Sequence, residues 1–350
     1  MAPLTVAYGL GVDSTALLVQ LVREGIRPAL IMFADTGDEK RETYQYLPII
    51  NDYLRKADFP QVTVVRNEVK NFKHWPPYHG LGENCLTNGT LPSLAFGFKS
   101  CSQKWKVAPQ DRYCKSWQPA LDAWSQGIPV RKMIGYDASP NDRKRYAVAI
   151  GFKDPLFTYE YPLIVWGWDR ERCKEEIRKE GLPVPPKSAC VFCPATQPEE
   201  LHEHRKSYLR YIVIMEARAK PRLQGHIDQE QLDLDYVKAV QAWQEAGSVG
   251  KYPKRALQSK GVLGLWRRGV AGTRGGKKRP GMMTDYILEH GLLTKAEVDH
   301  LIETVPAEII SNQKAFANGL EIPNWHDFLE QFTEEDAVNE GGRLSLPLIS

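Results

Sequence analysis

The first half of the chain alternates short apolar segments with segments of helical pattern, and this alternation restricts the fold more than any other feature. Residues 14–23 and 39–56 have helical composition, and Pro48 is expected to start a turn or bend in the second. The predicted strands are residues 4–8, 29–34, 62–66 and 130–136. Apolar strands that alternate with helices are typical of parallel sheets covered on both faces. The sequence therefore predicts an α/β fold with a doubly wound parallel sheet.

The alternation does not extend over the whole chain. Residues 67–129 are rich in Pro and Gly and are predicted to be a cysteine-bearing insertion. Beyond Glu199 the composition becomes helical. The predicted later helices are residues 168–181, with Asp169 as N-cap, and 201–220, 229–247, 295–304 and 326–332. Because 350 residues suit about two domains, we expect an α/β domain over 1–195 and a mainly helical region over 196–350.

Composition excludes several classes of protein. Six cysteines in 350 residues are too few for a disulfide scaffold. No uncharged apolar run approaches the ~18 residues of a membrane span, and the N-terminal residues lack the pattern of a signal peptide. We therefore expect a soluble, cytoplasmic protein with no membrane partner, whose cysteines are reduced, catalytic or metal-bound.

The loop after the first strand, residues 8–15, has the composition of a phosphate-binding loop. Gly9 and Gly11 allow a sharp turn, and the following helix offers unpaired N–H groups and the positive end of its dipole. The loop is not a Walker A motif, because GK[ST] is absent, and the third glycine of a dinucleotide fingerprint falls at Ser14. On these residues alone, a glycine-rich turn that caps a helix is an equal alternative.

This loop resembles the SGGxDS PP-loop of the ATP pyrophosphatases and phosphoadenosine-phosphosulfate reductases. Gly11, Asp13 and Ser14 match the pattern, whereas Gly9 and Leu10 depart from it. Four further motifs follow in the family's order, at residues 33–44, 135–145, 161–163 and 188–194. The resemblance covers residues 4–200. It is greatest to phage and bacterial reductase-like proteins of this superfamily, including enzymes that thiolate nucleic acids.

The resemblance implies a HUP-like fold that binds ATP and Mg²⁺. Asp13 would help to bind Mg²⁺, Asp35 would lie beside the nucleotide, and Arg145 would contact phosphate. The candidate nucleotide-site residues are Tyr8, Gly9, Gly11, Asp13, Ser14, Thr15, Asp35, Thr36 and Gly135. The candidate catalytic residues are Asp13, Lys104 and Arg145. For Lys104, a solvated lysine beside a buried Trp105 is an equal alternative.

The cysteines suggest a metal site. Cys190 and Cys193 have a CxxC spacing that lets two thiolates bind one metal, although a redox pair has the same spacing. Cys101 lies in a segment that resembles the family's cysteine site near the sulfur chemistry. We expect Cys101, Cys190 and Cys193 to hold a [4Fe-4S] cluster with one open iron, with Cys85 as the candidate fourth ligand. Zn²⁺ is the alternative.

Residues 251–280 predict a nucleic-acid partner. This window holds ten Lys and Arg and no Asp or Glu. Such a segment can neutralise phosphates and release counterions, and its aromatic residues Tyr252 and Trp266 can stack on exposed bases. A solvated loop that aids solubility is the alternative.

Together with these features, the resemblance implies an ATP pyrophosphatase that adenylates a nucleic acid and then inserts sulfur. The acceptor would be a tRNA base or DNA, including its backbone as in phosphorothioation, and the resemblance implies a cysteine desulfurase as sulfur donor. One alternative is a reductase of adenosine phosphosulfate or its 3′-phosphorylated form, although no cysteine follows Cys193. The other is a non-catalytic nucleotide-binding module with structural zinc.

Overall fold

The computed structural model describes residues 2–224, 229–249, 253, 262–266, 280–318 and 324–332. The chain divides into two compact units. Unit 1 comprises Met1–Glu68 and Ser102–Cys190, and unit 2 comprises Val69–Cys101 and Val191–Ser350. The predicted cysteine-bearing insertion is thus shared between the units, and each unit is described by itself below.

In the described ranges the strands and helices are as follows. The strands are β1 (Leu4–Tyr8), β2 (Leu30–Asp35), β3 (Val62–Arg66), β4 (His74–Trp75), β5 (Val130–Ile134), β6 (Phe157–Glu160) and β7 (Ile310–Ser311). The helices are α1 (Val12–Arg23), α2 (Arg41–Lys56), α3 (Leu81–Thr87), α4 (Ser100–Ser102), α5 (Ala108–Cys114), α6 (Gln118–Ser125), α7 (Pro140–Ala149), α8 (Pro162–Val165), α9 (Arg170–Lys179), α10 (Pro198–Leu201), α11 (Lys206–Gln224), α12 (Gln229–Glu245), α13 (Met283–Glu289), α14 (Lys295–Thr304), α15 (Asn312–Asn318) and α16 (Trp325–Glu330). A 3₁₀ turn occupies Ser93–Phe96, and a π turn occupies Gln103–Val107.

Unit 1 contains a five-stranded parallel sheet in the order β3-β2-β1-β5-β6. Val6 of the central strand pairs with Ile31 on one side and with Met133 on the other. The predicted α/β class and parallel sheet are confirmed. Strand β6, which is only four residues long, was not predicted from the sequence.

Helices cover both faces of this sheet because its strands are apolar on both sides. One face, which includes Val6, Ile31 and Phe33, packs against α1, α2 and α9. The opposite face includes Met32 and Phe157 and packs against buried residues of α5 and α6. Alternate residues of β2 thus enter different cores, as the two-residue period of a strand requires.

Several predicted helices agree closely with the observed ones. Asp169 is the N-cap of α9 and accepts a hydrogen bond of 2.9 Å from the backbone N–H of Arg172. The prediction for residues 295–304 coincides with α14, whose N-cap Thr294 forms a capping box with Glu297. Pro48 lies inside α2, and the helix continues through it to Lys56.

Unit 2 is built around α11, which contacts α3, α13 and α14. Its buried residues include Ile212, Ile214 and Met215. The strands β4 and β7 form a short antiparallel pair in the same unit. Among the described residues, no helix is both long enough and apolar enough to cross a membrane.

Candidate functional site at the carboxyl ends of the strands

The strand order of unit 1 reverses its direction between β1 and β5. From β1 the chain adds β2 and β3 on one side, and it later adds β5 and β6 on the other. In open parallel sheets, ligands bind in the crevice at the carboxyl ends of the strands at such a reversal. The loops that follow β1 and β5 therefore form the candidate site.

The loop after β1 packs tightly against itself. The Ser14 hydroxyl accepts a hydrogen bond of 3.1 Å from the N–H of Gly9 and donates one of 3.2 Å to the carbonyl of Gly11. Leu10 is fully buried and adopts a left-handed backbone with φ of 53°. The N-cap of α1 is Gly11, which offers no side chain to cap the helix. The first turn of α1 therefore keeps its positive dipole end without a side-chain cap.

Gly135, after β5, lies directly against the start of α1. A Cβ atom at this position would lie 3.0 Å from the backbone N and Cα of Ser14. A side chain would therefore push the two loops apart, and glycine permits their close approach. This contact brings together the loop after β1 and the loop after β5, which are distant in sequence.

Three aspartates converge at this crevice. Oxygen atoms of Asp13, Asp137 and Asp142 all lie within 4.8 Å of one another. Arg170 donates a hydrogen bond of 2.7 Å to Oδ2 of Asp13, whereas Oδ1 of Asp13 is buried with no hydrogen-bond partner. Burial raises the pKa of Asp13 to about 6 against the opposing effect of Arg170, and Asp137 and Asp142 raise it further. The negative charge of the three aspartates is therefore only partly balanced by Arg170.

The start of α7 fixes two of these aspartates. The N–H of Ser139 donates to Oδ1 of Asp137 at 2.9 Å, and the N–H of Asp137 donates to Oδ2 of Asp142 at 3.3 Å. Arg145 donates to Oδ1 of Asp142 at 2.9 Å. Burial raises the pKa of Asp142 against the effect of Arg145. Arg145 therefore lies at the edge of the aspartate cluster, where its guanidinium is also half exposed.

A pocket opens on the other side of β1, toward β2. Its lining residues are Ala7, Tyr8, Gly9, Phe33, Ala34, Lys106 and Gln110. The Tyr8 hydroxyl is hydrogen-bonded to the Thr15 hydroxyl at 3.0 Å, and both side chains are buried. The Thr15 hydroxyl is thus engaged in the core beneath the loop.

Asp35, at the end of β2, is held by three groups. Arg66 donates from Nε and Nη2 to Oδ2 at 2.9 and 2.6 Å. Oδ1 accepts bonds from the Tyr44 hydroxyl at 2.6 Å and from the N–H of Gly37 at 2.8 Å. These bonds fix the turn that follows β2, including Thr36, whose hydroxyl lies 3.3 Å from the Cys190 sulfur.

A buried ion pair lies beside Cys190. The Glu39 side chain is fully buried and accepts hydrogen bonds from Lys106 Nζ at 2.6 Å and from the Ser188 hydroxyl at 3.3 Å. Burial and the nearby Glu39 raise the pKa of the Cys190 thiol, and Lys106 opposes them. Lys104, in the same π turn as Lys106, is exposed with its ammonium 5.2 Å from the centre of the Trp105 ring.

The predicted cysteine ligands are divided between the units. Cys190 belongs to unit 1, and Cys85, Cys101 and Cys193 belong to unit 2. Cys85 is buried in α3, whereas Cys101 and Cys193 are partly exposed. Among the described residues, the groups of three or more ligand atoms within 4.8 Å of one another contain no cysteine. The iron–sulfur cluster and its zinc alternative therefore stay predictions.

Sequence reasoning missed the aspartate cluster as such. The resemblance implies a role for Asp13 in binding a cation, but it includes Asp137 and Asp142 only as members of a motif. The contact of Arg170 with Asp13 could not be predicted, because nothing in the local sequence distinguishes Arg170 from the other charged residues of α9. The position of Asp137 soon after a strand was the one available signal.

The predicted basic segment lies mostly outside the described residues. Within 251–280 only Pro253, residues 262–266 and Pro280 are described. Comparison of the chain with protein-family models and with curated proteins found no match.

Proposed function

We propose that this protein is an ATP pyrophosphatase of the PP-loop superfamily that adenylates a nucleic acid as the first step of sulfur transfer. One observation carries the proposal. An uncapped helix N-terminus and three convergent aspartates lie together where the strand order reverses. The helix end suits phosphate, and the aspartates suit a cation that accompanies phosphate.

The aspartates fit Mg²⁺ better than they fit any bare phosphate. Carboxylate oxygens are the ligands that Mg²⁺ takes, and Asp13 Oδ1 is a buried oxygen with no protein partner. A phosphate alone would be repelled by three carboxylates. Asp13, Asp137 and Asp142 would therefore hold the cation, which would neutralise charge on the phosphates.

The chain's own residues supply orientation and charge. The backbone N–H groups at the start of α1 would bind the pyrophosphate portion of ATP, and Arg145 would contact it from α7. The acceptor oxygen would bond to the α-phosphorus while the bond from that phosphorus to the α–β bridging oxygen breaks. Pyrophosphate would leave with the electron pair of that bond. The pocket lined by Tyr8, Phe33 and Gln110 is the candidate space for the base.

The sulfur step rests on the resemblance and on the cysteines. Cys190 lies next to Thr36, Glu39 and Lys106, one strand away from the phosphate-binding loop. We assign no chemistry to the [4Fe-4S] cluster, because no cysteine belongs to the groups of three or more ligand atoms found among the described residues.

The direct test is pyrophosphate release from ATP in the presence of Mg²⁺ and either tRNA or single-stranded DNA. Asp13→Asn and Asp142→Asn should each reduce release at least about 100-fold, because the charge on the leaving pyrophosphate loses its compensation. Asp122→Asn is the matched control, since Asp122 is an exposed aspartate of α6 in the same unit. It should leave the rate unchanged.

The other outcomes identify the alternatives. Sulfite release from adenosine phosphosulfate, without pyrophosphate release from ATP, would indicate a reductase. ATP binding without turnover on any acceptor would indicate a nucleotide-binding module. Either result would contradict the proposed adenylation.

A further inference from the structure

The pocket at the carboxyl ends of β1 and β2 exists because small side chains end these strands on one face of the sheet. Tyr8 and Phe33 place their side chains in the core that α1 and α2 share. Ala7 and Ala34 alternate with them and therefore belong to the opposite face. Met32, two residues before Ala34, fills the second core on that face. The two alanine methyl groups instead leave a pocket of about 320 Å³.

This pocket is small for a ligand site. Ligand pockets usually span about 300–1,000 Å³, so its volume of about 320 Å³ suits one part of a nucleotide rather than the whole. Gly9, in the loop after β1, lines one side of the pocket. In the proposed function that loop binds the phosphates, and the part of the nucleotide that remains for the pocket is the base.

Gln110 of α5 brings an unsatisfied polar group to this pocket. The residue is only 7% exposed, and it lines the pocket. Its carboxamide has no hydrogen bond to any residue in the described ranges, although neither of its polar atoms is sealed off by protein. Burial of an amide without hydrogen bonds is unfavourable. A ligand in the pocket that paired with the carboxamide would remove this cost.

The neighbours of Gln110 on its helical face are engaged with the protein. Lys106 and Cys114 lie four residues before and after it, and side chains at this spacing share one face. The Lys106 ammonium pairs with the buried Glu39 at 2.6 Å, and Cys114 is fully buried in the second core. These two contacts anchor the face that carries Gln110. The carboxamide is thus presented to the pocket by an anchored helix, as precise recognition requires.

A carboxamide suits the edge of a base. Its oxygen accepts a hydrogen bond and its NH₂ group donates one, so it pairs with a donor and an acceptor that are neighbours. Adenine presents such a pair, an exocyclic amino group beside a ring nitrogen, and glutamine forms these two bonds with adenine in nucleic-acid recognition. Ordered water is the alternative partner of the carboxamide, and it would not distinguish one base from another.

We propose that Gln110 recognises the base of the bound nucleotide. Its oxygen accepts a hydrogen bond from the adenine amino group, and its NH₂ group donates to the adjacent ring nitrogen. The inference rests on the proposed function for the identity of the nucleotide, and it deepens that function by naming the residue that determines base specificity.

The test compares the affinities of two nucleotides for the full chain by calorimetry, with Mg²⁺ and without a nucleic-acid acceptor. The nucleotides are ATP and purine riboside triphosphate, which lacks only the amino group. Wild type should bind ATP about 5- to 100-fold more tightly, because loss of the amino group leaves the Gln110 oxygen unpaired. Gln110→Leu should bind ATP about 5- to 100-fold more weakly than wild type does, and it should bind both nucleotides equally.

Gln126→Leu is the matched control. Gln126 is an exposed glutamine that follows α6 in the same unit, and its substitution should leave both affinities unchanged. Urea unfolding without nucleotide measures the structural effect of each substitution. Gln110→Leu should be at least as stable as wild type, because it removes a buried amide that makes no hydrogen bond to the described residues.

Equal affinity of wild type for the two nucleotides would overturn the inference, as would a preference for ATP that persists in Gln110→Leu. A lower urea midpoint for Gln110→Leu than for wild type would also overturn it, because the amide would then be a structural group. ATP binding that depends on Gln110, without pyrophosphate release on any acceptor, would reject only the proposed function. Pyrophosphate release with equal KM for ATP and purine riboside triphosphate would reject only this inference, and absence of nucleotide binding would reject both.

Discussion

At the scale of single residues, Asp13 is the clearest case of a side chain whose placement lowers the stability of the fold. Its carboxyl group is largely buried beside two other carboxylates, and one of its oxygens has no partner. Arg170 compensates only part of this charge, so the pKa rises to about 6. A residue selected for stability alone would not be ionisable at this position.

This placement gives a prediction for the pH dependence of stability. The pKa of Asp13 is about 6 in the folded chain, against the ordinary value of 3.8. The folded state therefore keeps a proton that the unfolded state has lost between these values, and stability falls as the pH rises through about 6. Asp13→Asn removes this effect. It should be more stable than wild type above pH 6, by at most roughly 3 kcal/mol.

The measurement is urea unfolding of both proteins from about pH 4 to about pH 8, a range that spans both values of the pKa. The stability difference should be small at the acid end, should grow up to about pH 6.5 and should then level off. Saturating Mg²⁺ should stabilise wild type above about pH 6 and leave Asp13→Asn unaffected. A difference that is constant with pH would show that Asp13 keeps an ordinary pKa.

At the scale of elements, the loops after β1, β2 and β5 were found in the sequence because each begins where an apolar run ends. The positions of these loops could be predicted from short-range patterns of apolar residues. The residues that each loop contacts could not be predicted in this way. Gly135 matches the motif, but its need to be glycine comes from Ser14, which is distant in sequence. From the sequence, Arg66 could be predicted only as the last residue of a strand. Its ion pair with Asp35 arises because these two residues are paired in neighbouring strands.

Leu10 shows a second limit of sequence reasoning. It stands where the family that the loop resembles has glycine, and it is one of the two departures from that pattern. The structure gives Leu10 a left-handed backbone and buries its side chain completely. Burial of a leucine contributes about 1.5–3 kcal/mol, which offsets the roughly 1–2 kcal/mol cost of the left-handed conformation. Single-residue preference alone could not have indicated this balance.

The ion pair of Glu39 and Lys106 gives a prediction at this scale, since it joins the loop after β2 to the π turn. Lys106→Met would leave the fully buried Glu39 carboxylate without its cation. We expect a loss of about 2–4 kcal/mol in the free energy of unfolding, allowing for the partial exposure of Lys106. The double variant Glu39→Gln with Lys106→Met should recover most of it, because no buried charge remains.

Lys104→Met is the matched control for this experiment. Lys104 lies in the same π turn but is exposed over the Trp105 ring. Its substitution should change stability by no more than about 0.5 kcal/mol. Equal losses for the two lysine variants in urea unfolding would mean that the π turn, and not the ion pair, determines the effect.

At the scale of the whole molecule, charge is distributed unevenly along the chain. The net charge is only +3, yet residues 251–280 hold ten of the 46 Lys and Arg and none of the 43 Asp and Glu. The rest of the chain is therefore acidic on balance. This separation predicts that attraction for polyanions is concentrated in one segment. Composition alone does not reveal it, because the two contributions to the net charge nearly cancel.

The separation predicts that the salt dependence of the proposed nucleic-acid binding belongs to that segment. Replacing Arg267, Arg268, Lys277, Lys278 and Arg279 with Gln should weaken the binding of single strands. The slope of log affinity against log salt should fall by up to about 3.5, at about 0.7 for each phosphate that is no longer neutralised.

The control replaces five cations of unit 1 with Gln and changes the net charge equally: Arg27, Arg55, Lys56, Lys174 and Lys179. If attraction came from net charge alone, both variants would lower the affinity equally. A reduced slope in the segment variant alone would show that phosphates contact these side chains, whereas an unchanged slope would leave the segment as a solubility loop.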